Sequence, residues 1–136
     1  MFTTTTHYRV RYSDTDQMGV VYYGNYPRFY EIGRSEMIRD LGYTYKELEK
    51  TGVFMPVASV NAKYLRPIYY DEMITIETTL KKMPQARMVF YHKIYNEKQE
   101  VVHTAEVTLV FLDGKTNRPV RVPRYMLEAL EKMTDL

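Results

Sequence analysis

Residues 25–41 read NYPRFYEIGRSEMIRDL, and their apolar positions recur at the spacing that places them on one face of a helix. Asn25 is a favourable N-cap residue, and Pro27 is tolerated in a first turn, where its missing N–H does little harm. Gly42 follows the last apolar position, as glycine does where a helix ends in the left-handed conformation. The stretch predicts one long helix whose apolar face comprises Tyr26, Phe29, Tyr30, Gly33, Met37 and Leu41.

The sequence on both sides of this helix alternates between apolar and polar residues in the manner of β-strands. The stretches with this pattern are 7–13, 57–66, 73–81, 87–95 and 101–112, and shorter helices are predicted at 44–50 and 124–133. Short connections within 73–112 favour antiparallel pairing, and a helix inserted after the first strand must cover one face of the sheet. Gly33, which has no side chain, would let the helix lie close against that sheet. The expected fold class is α+β, a single domain over residues 1–136 with one long helix wrapped by a curved antiparallel sheet of about five strands.

Composition excludes several classes of protein. The 136 residues include 19 basic and 17 acidic ones, so the basic excess of a nucleic-acid-binding protein is missing. The absence of cysteine excludes disulfide scaffolds, thiolate metal sites and cysteine nucleophiles. No apolar run approaches the roughly 20 residues of a membrane span, and MFTTTTHYRV lacks a charged region followed by an apolar run. We expect a cytoplasmic protein that has no membrane span, binds no nucleic acid and uses no metal or other cofactor.

Two carboxylates and a glycine lie between the first strand and the long helix. Asp14 and Asp16 come just after the strand, Gly19 permits a tight turn or a close approach of the backbone to a ligand, and the helix begins near Asn25. The first turn of a helix presents unpaired N–H groups and the positive end of the dipole, which stabilise an oxyanion. A carboxylate beside such a helix end outlines an acyl-transfer site. The alternative is a polar loop in which Asp14 or Asp16 only caps a turn, and in either case we expect Asp14 to hydrogen-bond the loop backbone.

The run from Asp14 to Glu36, D-T-D-x-M-G-V-V-Y-x-G-N-Y-x-x-F-x-E-x-x-R-x-E, resembles the signature of the 4-hydroxybenzoyl-CoA thioesterase family. That family includes short bacterial acyl-CoA thioesterases associated with the Tol–Pal system. A second stretch, from Tyr64 to Glu72, is similar to the family's other recurring segment, and the series of strands matches its hotdog topology. The resemblance covers nearly the whole chain. It implies a hotdog-fold enzyme that hydrolyses acyl-CoA thioesters to the free acid and CoA.

The resemblance also implies roles for individual residues. Asp16 corresponds to the catalytic carboxylate of the family, as nucleophile or general base, and the backbone N–H of Tyr23 corresponds to the oxyanion donor. One carboxylate with oxyanion stabilisation can suffice, because a thiolate leaves readily near neutral pH. Gln17 and Met18 differ from the Pro-Ala of some relatives, and Gly24 stands where others have His or Pro. These departures bear on acyl specificity.

We expect the acyl-CoA substrate to lie between two copies of the chain. A curved sheet of about five strands leaves edge strands exposed, which a second subunit would cover in a homodimer, and the 14 tyrosines suit the further interfaces of a homotetramer. The acyl group should enter an apolar slot beside the long helix, while the nucleotide of CoA stays at a basic surface. The candidate substrate-binding residues are Gly19, Tyr26, Phe29, Tyr30 and Arg66, with Tyr23 and Met55 also in the slot and Lys63, Lys81, Lys82 and Arg87 also at the basic rim.

Two other functions are consistent with the sequence: a hydratase or dehydratase of the same fold, and a non-catalytic acyl-thioester binding module. Hydratases of this fold typically pair a His with an acidic residue, and no His follows the long helix in the expected loop. A second hotdog lineage uses a Glu in the long helix, for which Glu31 or Glu36 is the candidate. Glu31 also lies three residues before Arg34, a spacing that predicts an ion pair. His7, His92 and His103 fall on three separate strands, which favours structural histidines over metal ligands.

Overall fold

The computed structural model describes residues 1–134 and 136, and this part of the chain folds into three α-helices and seven β-strands. The helices are α1 (Tyr26–Asp40), α2 (Tyr45–Lys50) and α3 (Arg124–Met133). The strands are β1 (Phe2–Arg9), β2 (Val53–Phe54), β3 (Val57–Tyr64), β4 (Met73–Leu80), β5 (Arg87–Tyr95), β6 (Val101–Asp113) and β7 (Pro119–Val120). No helix among these residues is long and apolar enough to cross a membrane.

The five longer strands form one antiparallel sheet in the order β1–β4–β5–β6–β3. β6 is the longest strand, with 13 residues, and it pairs with β5 along one side and with β3 along the other. The end of β6 extends past β3 and pairs with the two-residue strands β2 and β7. The expected sheet of about five strands is therefore confirmed, with two short strands added at one end.

Helix α1 packs against β1, β4 and β5 and covers one face of the sheet. The predicted apolar face is buried along its whole length, and Arg34 and Ile38 are buried with it. The C-terminus is a Schellman motif: the N–H of Gly42 donates to the carbonyl of Arg39, and the N–H of Tyr43 donates to that of Ile38. Gly42 has a φ of +93°, which explains why a glycine ends this helix.

Gly33 brings α1 into close contact with the sheet, as the sequence predicts. A Cβ atom at this position would collide with the hydroxyl oxygen of Thr78 on β4 and would lie 3.0 Å from Cγ2 of Ile76. It would also lie 3.4 Å from Cε1 of His92 on β5. The helix can therefore approach these two strands only where it has no side chain.

The first strand differs from its prediction. β1 runs from Phe2 to Arg9 and pairs with β4 over its full length, whereas the sequence predicts a strand at 7–13. Residues Tyr12–Asp14 instead form a 3₁₀ turn. Four consecutive threonines in β1 obscure the alternation, because they place the same residue on both faces of the sheet. The remaining strands at 57–66, 73–81, 87–95 and 101–112 and the helices at 44–50 and 124–133 are confirmed to within two residues at each end.

Strand β3 leaves one edge of the sheet open. It pairs with β6 on one side, and no described strand pairs with its other side. Val57, Val60 and Tyr64 lie on the α1 side of the sheet yet are each about half exposed, with exposed fractions of 47%, 48% and 52%. Helix α1 covers little of this face of β3, where Tyr26 contacts Tyr64, so this edge combines unpaired backbone groups with half-exposed apolar side chains.

Candidate functional site

A short hairpin joins the end of the 3₁₀ turn to the start of the helix. The N–H of Tyr22 donates to the carbonyl of Asp14 at 3.0 Å, Thr15 pairs with Val21, and the N–H of Asp16 donates to the carbonyl of Val20 at 2.9 Å. The hairpin is fixed to the segment that follows β3, because Val21 N–H donates to the carbonyl of Ile68. Asp16 and the residues just before α1 therefore lie on adjacent strands of one small unit.

Asp16 occupies the first position of the hairpin turn. The N–H of Gly19 donates to the carbonyl of Asp16 at 3.0 Å, and Gly19 has a φ of +78°, a conformation that favours glycine. Oδ1 of Asp16 accepts a 2.8 Å hydrogen bond from the N–H of Met18. Oδ2 accepts no hydrogen bond from any residue that the structure describes. The carboxylate is half-buried and oriented through one oxygen, and its other oxygen is free to act on a ligand.

The backbone after the hairpin turns directly into the helix. Residues Tyr23–Asn25 form a 3₁₀ turn that continues into α1. Within the described part of the chain, the N–H groups of Tyr23 and Gly24 have no hydrogen-bond acceptor. Tyr23 is 67% exposed, and its carbonyl accepts a hydrogen bond from the hydroxyl of Tyr64 at 3.1 Å. The helix start thus presents two unpaired backbone donors beside the free β3 edge.

Asn25 does not cap the helix with its side chain, which corrects the expectation of a simple N-cap. Its side-chain amide Nδ2 instead donates to the carbonyl of Asp14 at 2.8 Å, the same oxygen that accepts from Tyr22 N–H. Asn25 therefore joins the helix start to the hairpin.

Asp14 is fully buried, and its carboxylate is the centre of a hydrogen-bond network. Oδ2 accepts 2.8 Å hydrogen bonds from the hydroxyl of Tyr8 and from the N–H of Arg11, and Oδ1 forms a 2.7 Å ion pair with Arg28 in the first turn of α1. Burial, followed by the Asp14 hydrogen bond and charge, raises the pKa of Tyr8. The prediction that Asp14 hydrogen-bonds the loop backbone is confirmed. The network fixes the end of β1, the hairpin and the helix start relative to one another.

The three aromatic residues proposed for the acyl slot lie in the core. Tyr26, Phe29 and Tyr30 have exposed fractions of 3%, 0% and 1%. Tyr26 stacks on His103 and meets the ring of Tyr64 edge-on, with ring centroids 4.2 Å and 4.9 Å away. Within one subunit these side chains present almost no surface to a ligand. Tyr64, half exposed above them, is a contact that the sequence reasoning missed.

The predicted basic rim is divided in the structure. Arg66 forms a 3.3 Å ion pair with Glu100 and lines a separate groove together with Lys98. Lys63 and Lys81 line a polar groove on the face of the sheet opposite α1, together with Lys93. Lys82 and Arg87 are exposed at the ends of the β4–β5 connection. The structure therefore brings together only part of the proposed rim.

Two of the histidines are buried beneath α1. His92 bonds through Nδ1 to the hydroxyl of Thr78, and His103 bonds through Nε2 to the hydroxyl of Tyr30. Burial lowers the pKa of His92 to about 3, with smaller contributions from the charges of Arg34 and His103, and burial lowers the pKa of His103 to about 4. Burial, followed by the nearby Tyr64, raises the pKa of Tyr26 to about 12. Both histidines are therefore neutral at physiological pH.

Arg34 does not form the predicted ion pair with Glu31. It is only 9% exposed, and it makes no ion pair or hydrogen bond with any described residue. Glu31 is exposed on another side of the helix. The prediction was wrong because Arg34 follows Tyr30 by four residues and Tyr26 by eight, which places it on the buried face. That spacing was the available signal in the sequence.

The arrangement has the parts of an acyl-transfer site. One carboxylate oxygen is unoccupied, and two unpaired amides begin a helix of 15 residues, whose dipole favours negative charge at that end. A protein with this helix, this antiparallel sheet and a carboxylate in the preceding loop belongs to the class of hotdog-fold proteins.

Comparison with known proteins agrees with this class. Residues 10–130 match the family model of the thioesterase-like superfamily, and the chain belongs to that family. YneP of Bacillus subtilis is 36% identical over 112 residues, which are 82% of this chain and 81% of YneP. The acyl-CoA thioester hydrolase YbgC of Escherichia coli is 34% identical over 116 residues, 85% of this chain and 87% of YbgC.

Solved structures share the fold. The DHNA-CoA thioesterase of Staphylococcus aureus superposes with a TM-score of 0.90 at 36% identity, over 97% of this chain and 91% of its own. A 4-hydroxybenzoyl CoA thioesterase in which an aspartate is replaced by asparagine, in complex with 4-hydroxybenzoyl CoA, superposes with a TM-score of 0.82 at 25% identity. This match covers 93% of this chain and 97% of the other. The predicted resemblance and the hotdog fold are confirmed.

Proposed function

We propose that this protein hydrolyses acyl-CoA thioesters to the free acid and CoA, with Asp16 as the catalytic carboxylate. The observation that carries the proposal is the hairpin that leaves Oδ2 of Asp16 without a hydrogen bond and leads directly into the helix start with its unpaired amides. The names of YbgC and of the Staphylococcus aureus enzyme, both at least 34% identical to this chain, support the thioester as substrate.

In the proposed reaction the thioester carbonyl oxygen accepts hydrogen bonds from the N–H groups of Tyr23 and Gly24. Asp16 either attacks the carbonyl carbon itself or removes a proton from a water molecule that attacks it. The carbon–sulfur bond then breaks, and CoA leaves as the thiolate with the bonding electrons. If Asp16 is the nucleophile, water hydrolyses the resulting mixed anhydride and regenerates the carboxylate.

The buried histidines argue against the hydratase or dehydratase alternative. That chemistry needs a histidine that reaches the substrate and exchanges a proton near neutral pH. His92 and His103 are in the core, bonded to Thr78 and Tyr30, and burial holds both pKa values well below neutrality. Only a measurement of turnover distinguishes a thioesterase from a non-catalytic acyl-thioester binding module.

The proposed active form is a homodimer that pairs through β3. Its free edge carries unpaired backbone groups, and Val57, Val60 and Tyr64 on it are about half exposed. Pairing with a second copy would satisfy the backbone and cover these side chains. It would also close the space beside Tyr23, Gly19 and Tyr64, above the buried ring of Tyr26, and this space would form the acyl slot. Light scattering at micromolar concentration checks this, and a stable monomer would contradict it.

Substitution of Asp16 tests the catalytic assignment. Asp16→Asn keeps the shape of the side chain and removes its charge, so kcat should fall by orders of magnitude while the affinity for acyl-CoA changes little. Release of CoA from a panel of acyl-CoA esters is followed with a chromogenic thiol reagent. Asp40→Asn, the same substitution at an exposed position in the last turn of α1, is the matched control and should retain activity. A fully active Asp16→Asn would show that another group performs the chemistry.

A further inference from the structure

The side chain of Tyr64 holds the backbone of Tyr23 from outside the helix. Its hydroxyl, which projects from strand β3, donates a 3.1 Å hydrogen bond to the carbonyl of Tyr23 in the 3₁₀ turn before α1. In an α-helix this carbonyl would accept from the N–H four residues on, and that residue is Pro27, which has no N–H. The sheet therefore supplies a donor that proline removes from the helix.

The carbonyl of Tyr23 and the N–H of Gly24 belong to the same peptide unit. A trans peptide is planar, so its carbonyl and its N–H point in opposite directions. A hydrogen bond that fixes the carbonyl also fixes the direction of the N–H, which faces out of the N-terminal end of the helix. Accepting this bond also polarises the peptide and makes its N–H a stronger donor.

The preceding peptide unit is held in a different way. The carbonyl of Tyr22, which shares a peptide with the N–H of Tyr23, accepts a 2.9 Å hydrogen bond from the N–H of Asn25 in the same turn. Gly24 has no Cβ, and glycine adopts a wider range of backbone conformations than other residues. The Tyr23–Gly24 peptide can therefore rotate on its glycine side, and the contact with Tyr64 restrains that rotation.

The ring of Tyr64 is itself fixed by the core. It meets the rings of Tyr26 and His103, both buried, edge-on, with centroids 4.9 Å and 4.7 Å away. His103 is also its direct neighbour across the β3–β6 pairing. The sheet and the core thus set the position of the hydroxyl, and the hydroxyl sets the orientation of the Gly24 amide.

We propose that Tyr64 is a positioning residue, whose hydroxyl orients the Tyr23–Gly24 peptide so that the N–H of Gly24 donates to the thioester oxygen. The inference rests on the proposed function and adds to it a residue outside the hairpin and the helix. Negative charge on that oxygen grows between the bound substrate and the transition state, so a preoriented amide stabilises the transition state more. Loss of the hydroxyl should therefore lower kcat and leave KM nearly unchanged.

The kinetic test is Tyr64→Phe, which removes only the hydroxyl and keeps the ring against Tyr26 and His103. A neutral hydrogen bond contributes a factor of about 2–10, and kcat should fall by about that factor with the acyl-CoA ester that the wild-type protein hydrolyses fastest. Tyr43→Phe, the same substitution beyond the other end of α1, is the matched control and should change neither kcat nor KM.

The orientation of the peptide is measured independently of turnover, by ¹⁵N relaxation of the protein without substrate. The chain has six glycines, so selective labelling of glycine leaves five other amides as controls in the same spectrum. The order parameter of the Gly24 amide should be about 0.85 in the wild-type protein and fall toward about 0.6 in Tyr64→Phe. The amide of Gly33, inside α1, should stay unchanged.

A Gly24 amide that is equally ordered in both proteins would overturn the proposal. So would a variant that loses activity because it dissociates to monomers in light scattering while its Gly24 amide is unchanged, since Tyr64 would then act through the subunit interface. Equal kcat in the wild-type protein and Tyr64→Phe refutes the role of Tyr64 alone. A wild-type protein that hydrolyses no ester of the panel refutes the proposed function, and with it the catalytic role of the amide.

Discussion

Replacing Asp14 by asparagine keeps the shape of the side chain and removes its charge. Oδ2 of Asp14 accepts hydrogen bonds from Tyr8 and from the N–H of Arg11, and Oδ1 pairs with Arg28. Asparagine has only one acceptor oxygen, so its NH₂ group must face either Arg28 or the two donors on the other side. In both orientations the buried network loses at least one charge-assisted contact.

The expected loss of stability follows from these contacts. A hydrogen bond to a charged group contributes about 1.5–3 kcal/mol. The Arg28 side chain is 48% exposed and can turn to water, which places the loss toward the lower end, at about 2 kcal/mol. For a chain of this length that free energy lowers Tm by about 7 °C. Thermal unfolding by circular dichroism measures it, with the exposed Asp40→Asn as the control that should change Tm little.

Activity should fall by more than the stability change explains. Asp14→Asn loosens the connection between the hairpin and the helix start, and with it the placement of Asp16 relative to the N–H of Tyr23. A misplacement of about 1 Å costs on the order of 100-fold in rate, so we expect kcat/KM to fall by about 10–100-fold at a temperature where the variant is folded. A variant with unchanged Tm and unchanged kcat/KM would refute the reasoning that Asp14 fixes the site.

Three further predictions test the packing of the core, the burial of its histidines and the role of the basic rim. Gly33→Ala should destabilise the protein by about 1–3 kcal/mol in urea unfolding, because its Cβ would collide with Thr78; an unchanged midpoint would show that α1 can move away. Burial lowers the pKa of His92 to about 3 and that of His103 to about 4, so the unfolded chain binds more protons below about pH 6.5. Stability should therefore be complete above that pH and fall on acidification by up to about 1.4 kcal/mol per pH unit for each histidine, and urea midpoints that are equal at pH 7 and pH 5 would contradict this. Raising ionic strength should raise KM for acyl-CoA with little change in kcat if basic residues such as Arg66 attract the nucleotide, whereas pantetheine thioesters should show no such dependence.

Secondary structure is predicted most accurately from the sequence where one periodicity, that of a strand or of a helix, dominates a segment. β4, β5 and α3 follow their patterns residue by residue, and the glycines at 33 and 42 predict a close approach and a helix end that both exist. The threonine run in β1 carries no alternation, so its strand is visible only through its pairing with β4. The strands β2 and β7 have two residues each and form only because they pair with β6. That pairing cannot be predicted from the local sequence.

The candidate site was predictable in its residue types and not in its contacts. Asp14, Asp16 and Gly19 stand out because carboxylates and a glycine precede a helix. The partners that orient them come from distant segments: Tyr8 from β1 bonds Asp14, and Ile68 fixes the hairpin. For Arg34 the local sequence held the answer but was misinterpreted. The i, i+3 spacing from Glu31 suggested an ion pair on the surface, whereas the helical period places Arg34 on the buried face.

The position of β6 has a consequence for how the molecule opens. β6 is hydrogen-bonded to β5 and β7 along one side and to β3 and β2 along the other, so its amides can exchange with deuterium only when strands on both sides separate. Exchange in β6 should therefore report the free energy of global unfolding, while the outward amides of β3 should exchange through local fluctuations. Protection that appears along β3 as protein concentration rises would register self-association at single-residue resolution.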